Sequence, residues 1–243
     1  MRLNTTTFGD GPRAVGLVHG LGQSGALWHD FAEPLVADGE HTVIAVDLRG
    51  HGDSPRGDSY LIDEFAADLV DTLPAGLDVL ACHSLGGSIV PRAVGALAPK
   101  HALYLDPGFQ LALPTAGWRA RLFWAAPTVS LVISALARRD RQRQAAAAHT
   151  PRTRELTAQA KGKFDKKMIG EVYRDIAHHP FIPAAPEVPS TVVLSAEGDA
   201  VVPPGLAAEL ERLGWNLRRL NEIGHELWLE DAPKTNAAVA DLF

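Results

Sequence analysis

Cysteine is nearly absent from this chain of 243 residues: Cys82 stands alone. An internal disulfide is therefore excluded, which fits a reducing, cytoplasmic setting. A membrane-spanning run is also missing. The most apolar stretch, Leu122 to Ala137, covers 16 residues, contains Pro127 and is followed by Arg138 and Arg139. That is short for a transmembrane segment and reads as a buried or lid helix. The first residues, Met-Arg-Leu-Asn-Thr-Thr-Thr-Phe, lack the apolar core of a signal peptide. The ten histidines form no H-E-x-x-H motif and no Cys/His cluster, so neither a metal nor a cofactor is expected. Positive charge is not in excess either: the formal net charge of −6 argues against nucleic acid as a partner.

What is present is ordinary globular composition, 46% hydrophobic and 21% charged, in a length that suits one α/β domain with an insertion. Charge is unevenly spread. Between Leu111 and Pro180 there are 13 Lys plus Arg against 5 Asp plus Glu, while the rest of the chain is strongly acidic. The middle segment thus reads as a unit of its own. Ala14 to Val18, Thr42 to Val46, Val79 to Cys82 and Ala102 to Leu105 are continuous β-prone runs, the pattern of strands covered on both faces. Helical patterns alternate with them at Trp28 to Ala37, Leu61 to Leu73 and Ser84 to Leu97. Alternation stops after Pro107 and resumes with Thr191 to Leu194, a helix near Gly205 to Leu213, a strand near Asn216 to Leu220 and a closing helix from Ala232. The expectation is an α/β fold: a doubly wound, mostly parallel sheet formed by residues 1–110 and 181–243, with a helical cap, 111–180, inserted between its halves.

The chemistry concentrates at a strand-to-helix junction, Cys82-His83-Ser84-Leu85-Gly86-Gly87. A nucleophile elbow sets serine on a sharp turn so that its hydroxyl projects above the sheet, and the turn requires small neighbours such as Gly86. Serine needs a base held by an acid. Asp199, in Glu197-Gly198-Asp199 after a strand, is the acid chosen, and His225, in Gly224-His225-Glu226 after the last strand, is the base. Asp106 is the rival acid, but Asp106-Pro107 reads more simply as the start of a turn. The loop Val18-His19-Gly20-Leu21-Gly22-Gln23-Ser24 brings backbone close to the serine; the N–H groups of Leu21 and Leu85 are the expected oxyanion donors. His19 reads as a structural hydrogen-bonder beneath that loop. Trp118, Phe123, Trp124, Val201 and Trp228 are candidates for the walls of a substrate pocket.

These motifs resemble those of the α/β-hydrolase family, in its esterase, lipase and perhydrolase branch. Asp47-Leu48-Arg49-Gly50-His51-Gly52-Asp53-Ser54 is similar to that family's D-x-R-G-H-G-x-S loop, which is structural there, and Asp199 and His225 match its late acid and histidine. The resemblance covers roughly Ala14 to Pro107 and Thr191 to Phe243, and leaves out the cap. Cys82 departs from it, standing where the elbow usually has glycine. The resemblance implies a serine hydrolase of small-molecule carboxylic esters acting through an acyl-enzyme. Perhydrolase, thioesterase, lactonase and carbon–carbon hydrolase activity remain open on the same residues, as does a slow-turnover ligand receptor.

Overall fold

A computed structural model of the chain describes residues 1–111, 113–125, 149–195 and 201–243. Seven strands form one sheet: β1 (Thr5–Phe8), β2 (Arg13–Val18), β3 (His41–Val46), β4 (Val79–His83), β5 (His101–Leu105), β6 (Ser190–Ser195) and β7 (Asn216–Leu220). Their spatial order is β1-β3-β2-β4-β5-β6-β7, with β1 antiparallel to β3 and every other pair parallel. The expected strands all appear, within a residue of the predicted limits. β1 was not foreseen: its Thr-Thr-Thr-Phe sequence lies half-exposed at the sheet edge and carries no apolar run.

Alternate side chains of the central strands feed two core layers. Val18, Val46, Leu80 and Cys82 pack beneath α2 (Ile62–Thr72) and α3 (Gly86–Leu97). Val15, Leu17, Val43, Ala45, Val79 and Ala81 pack on the other face beside Trp28, Phe31 and Trp228. That second layer is closed by α1 (His29–Val36) and by residues of the C-terminal segment that follows β7. In α2, burial falls on Ile62, Phe65, Ala66 and Leu69, the three-to-four spacing of one helix face.

Between β5 and β6, where the cap is expected, lie α4 (Gly117–Ala125), α5 (Pro151–Lys163) and α6 (Met168–His178). α6 buries Met168, Val172 and Ile176, four residues apart, against the first core layer. α5 opens with Thr150 capping the Thr153 N–H, and it is tied to the core by Arg152 to Glu33 and by Lys163 to Asp53. The fold closes with α7 (Pro204–Arg212), α8 (Leu227–Glu230) and α9 (Ala232–Ala237). Among the described residues no helix is long and apolar enough to cross a membrane. The chain runs outward from β2 to β3 and then back across to β4, so the crevice at the carboxyl ends of β2 and β4 is the switch point where doubly wound sheets hold ligands.

Candidate active site

At that switch point, β4 ends at His83 and α3 begins at Gly86, leaving Ser84 and Leu85 to turn the chain. Ser84 takes φ +48°, a left-handed conformation that costs a non-glycine residue about 1–3 kcal/mol. The turn is held by Gly87 N–H to Ser84 O (2.9 Å), Gly108 N–H to Ser84 O (2.7 Å) and Ser84 N–H to Leu105 O (3.3 Å). A side chain at Gly87 would come within 2.3 Å of Pro107 Cβ, so only glycine lets α3 lie this close to the end of β5. Cys82 fits in place of the usual glycine because Gly86 offers no Cβ; one added there would stand 2.9 Å from Cys82 Cβ. The thiol is fully buried, and burial pushes its pKa well up, leaving it a protonated core side chain.

His225 projects from the loop between β7 and α8. Its Nδ1–H donates to Asp106 Oδ2 (2.6 Å), and its Nε2 accepts from the Ser84 hydroxyl (2.9 Å). The carboxylate can only accept, so it fixes the proton on Nδ1 and leaves a lone pair facing the serine. Asp106 is fully buried at the end of β5 in a left-handed conformation, φ +39°. Ser195 Oγ–H also donates to its Oδ2 (3.0 Å). Among the described residues the carboxylate on His225 Nδ1 is that of Asp106; the expected acid, Asp199, lies outside the described residues. The Asp-Pro step does begin a turn, and that turn aims the carboxylate at the imidazole because β5 is the immediate neighbour of β4.

The loop after β2 turns back on itself beside the elbow. Gly20 O accepts from His19 Nδ1–H (2.7 Å) and from Gln23 N–H (3.2 Å). Carbonyl and amide point in opposite directions across a trans peptide, so the Leu21 N–H is turned away from His19. Leu85, at the cap of α3, directs its own N–H out of the helix N-terminus. A Cβ on Gly20 would lie 3.0 Å from Ser84 Cβ, so glycine is what lets the two backbones meet. His19 Nε2 accepts from Leu48 N–H (3.0 Å), and burial lowers its pKa to about 4, keeping the ring neutral with one donor and one acceptor face. The role expected of His19 is the one observed.

The Asp47 to Ser54 loop is likewise scaffolding. Asp47 accepts from Gly25 N–H (2.7 Å) and Asp53 N–H (2.9 Å), while Arg49 is buried against Asp68 (2.6 Å) and Glu64 (2.9 Å).

The expected pocket walls are not brought together. Trp228 is a core residue: it stacks on Trp28 at 3.7 Å and donates to Leu27 O (3.0 Å). Trp118 is 72% exposed. Trp124 donates to Pro114 O (2.8 Å) and lies under Arg174, with Phe123 edge-on to it, which makes this pair internal packing of the inserted segment. Val201 is half-buried, one residue before the buried Val202. The described residues do contain one group of metal-binding types, His29, Asp30 and Glu33, with ligand atoms within 4.8 Å of one another. Its carboxylates already hold Thr153 (3.0 Å) and Arg152 (2.7 Å), so it docks α5 on α1.

The sequence model of the alpha/beta hydrolase family matches residues 17–239. The chain belongs to this family. Among its relatives, this chain is 37% identical over 100 residues to the pimeloyl-[acyl-carrier protein] methyl ester esterase of Aeromonas salmonicida, covering 40% of this chain and 36% of that one. It is 42% identical over 88 residues to the non-heme chloroperoxidase CPO-A1 of Kitasatospora aureofaciens, covering 34% and 31%. The chain therefore aligns with only about a third of the length of these curated relatives. The enol-lactonase of Burkholderia xenovorans LB400 shares the fold at a TM-score of 0.75 and 19% identity, covering 99% of this chain and 95% of that one.

Proposed function

We propose that this hydrolase cleaves carboxylic esters of small molecules by acyl transfer, with Ser84 as nucleophile, His225 as general base and Asp106 as the orienting acid. The observation that carries the reading is the unbroken hydrogen-bonded line from the Ser84 hydroxyl through the imidazole to the buried carboxylate. His225 takes the serine proton as Oγ attacks the substrate carbonyl, and the imidazolium formed is stabilised by Asp106. The Leu21 and Leu85 N–H groups receive the oxyanion, each such donor contributing about 3 kcal/mol to barrier lowering. His225 then protonates the departing alcohol, and water activated by the same ring releases the acid. The esterase named among the relatives supports an ester substrate. The site works in one domain, 1–110 and 181–243, and segment 111–180 acts as a cap that selects the acyl or alcohol group. We assign the activity to the cytoplasm.

A fluorophosphonate probe tests this directly. Wild-type protein is expected to be labelled on Ser84 and to turn over 4-nitrophenyl acetate, and Ser84→Ala to lose both, with turnover falling at least about 1000-fold. Labelling that persists in Ser84→Ala discards the assignment. A panel of esters of increasing chain length, lactones, thioesters and a peracid-forming assay then ranks the chemistries that share this site.

A further inference from the structure

The site has a member that the acyl-transfer scheme does not use. His83, the residue before the nucleophile, is fully buried, and each of its ring nitrogens meets an oxygen from a different part of the machinery. Nε2 lies 2.9 Å from the backbone carbonyl of His225, and Nδ1 lies 3.2 Å from Gln23 Oε1. Gln23 Oε1 in turn accepts from Gly20 N–H (2.9 Å), in the peptide just before the one that aims Leu21. The ring itself is wedged between the His225 imidazole (4.7 Å, tilted) and the edge of Trp228 (4.7 Å, 88°).

From this geometry we propose that His83 is a positioning residue that holds the backbone of the loop carrying the base beside the nucleophile elbow. The base loop needs such a tie. Glu230 already holds the Gly224 N–H (2.9 Å) and the Glu226 N–H (3.3 Å), and among the described residues the peptide oxygen of His225 has His83 as its one donor. Burial drives the His83 pKa well down, with the nearby His225 adding to the fall, so the ring is neutral and carries one proton. The shorter contact takes it: Nε2–H donates to the His225 carbonyl, and Nδ1, left without a proton, only packs against Gln23 Oε1. A cation here would stand against the imidazolium that forms on His225 during each turnover, and neutrality avoids that. The inference rests on the assignment of His225 as base. It adds that catalytic geometry is set by a hydrogen bond to the backbone of the base, beyond the one to its ring.

Three substitutions separate this from simple packing. His83→Phe keeps the ring volume between His225 and Trp228 but removes the hydrogen bond to the His225 carbonyl. In His83→Gln the amide nitrogen reaches where ring Nε2 stood; in His83→Asn it reaches only where Nδ1 stood. Fluorophosphonate inactivation, resolved into a maximal rate and a half-saturation concentration, reads the result without knowledge of the natural substrate. His83→Phe is expected to lower the maximal rate about 10- to 100-fold, with half-saturation within about threefold of wild type. His83→Gln is expected to recover most of that rate, and His83→Asn to stay as slow as His83→Phe. A maximal rate for His83→Phe within about threefold of wild type overturns the proposal, as does equal recovery, or none, in Gln and Asn. Should His83→Phe fail to fold, the Gln-against-Asn comparison at matched thermal midpoints decides by the same criterion. Wild-type protein that resists the probe, or a Ser84→Ala protein that still reacts, defeats the assigned site and this inference with it. Normal labelling at Ser84 with an indifferent His83 defeats the inference alone.

Discussion

Two aspartates are candidates for one imidazole, and the one among the described residues stands where a strand ends. Asp106 bonds His225 from a fully buried position and is itself braced by Ser195. Asp106→Asn should keep the fold and lower kcat about 10,000-fold, because an amide no longer fixes the productive tautomer. Asp199→Asn should leave kcat within a few-fold of wild type; steady-state kinetics on one ester compare the two, and the reverse order would return the acid role to Asp199. Ser84 and His225 were legible from local motifs, since a tight turn and a Gly-His loop after a strand leave marks in short stretches of sequence. Asp106 was not, because its role depends on β5 lying beside β4, and adjacency of strands is not written in either one. Trp228, expected in a pocket wall, is a core residue, because its partner is Trp28, two hundred positions earlier, a contact that no local stretch of sequence carries.

At the level of elements, the elbow works because α3 is pressed onto the end of β5. Ser88 Oγ–H donates to Gly108 O, and Gly87 faces Pro107 with no room for a methyl group. Gly87→Ala should therefore destabilise the protein by about 1–3 kcal/mol, read as a lower midpoint in urea, and should slow labelling of Ser84 as the turn shifts. Gly205→Ala, in α7, where an added Cβ meets nothing, serves as the control and should leave both unchanged. The β-runs and crossover helices were readable because burial on both faces imposes continuous apolar strands. β1 escaped notice because an edge strand of threonines has no such requirement.

Taken as a whole, the molecule carries a pH dependence in its scaffold. His19 and His51 are buried neutral, with pKa values lowered by burial to about 4 and about 3 from an ordinary 6.5. Their unfolded forms bind protons first, so the stability they confer is complete above about pH 6.5 and is lost as pH falls through 6.5 toward 4. His19 alone accounts for on the order of 3 kcal/mol over that range. Thermal midpoints should fall steadily between pH 7 and pH 4.5, and His51→Phe, which has no proton to take up, should flatten that fall; a midpoint independent of pH would contradict it. The first structure to give way should be the loop that His19 fastens to Leu48, and labelling of Ser84 should weaken before the sheet melts.

The neighbouring placement of β4 and β5 has one more consequence. The proposed nucleophile and acid ride on a single pair of adjacent strands stitched by Ser84 N–H to Leu105 O, and only the imidazole has to arrive from the far end of the chain. Under the proposed roles, the stretch that follows β6 need carry no reacting group. Insertions or deletions there can retune what the crevice admits while the attacking oxygen and its distant carboxylate keep their spacing.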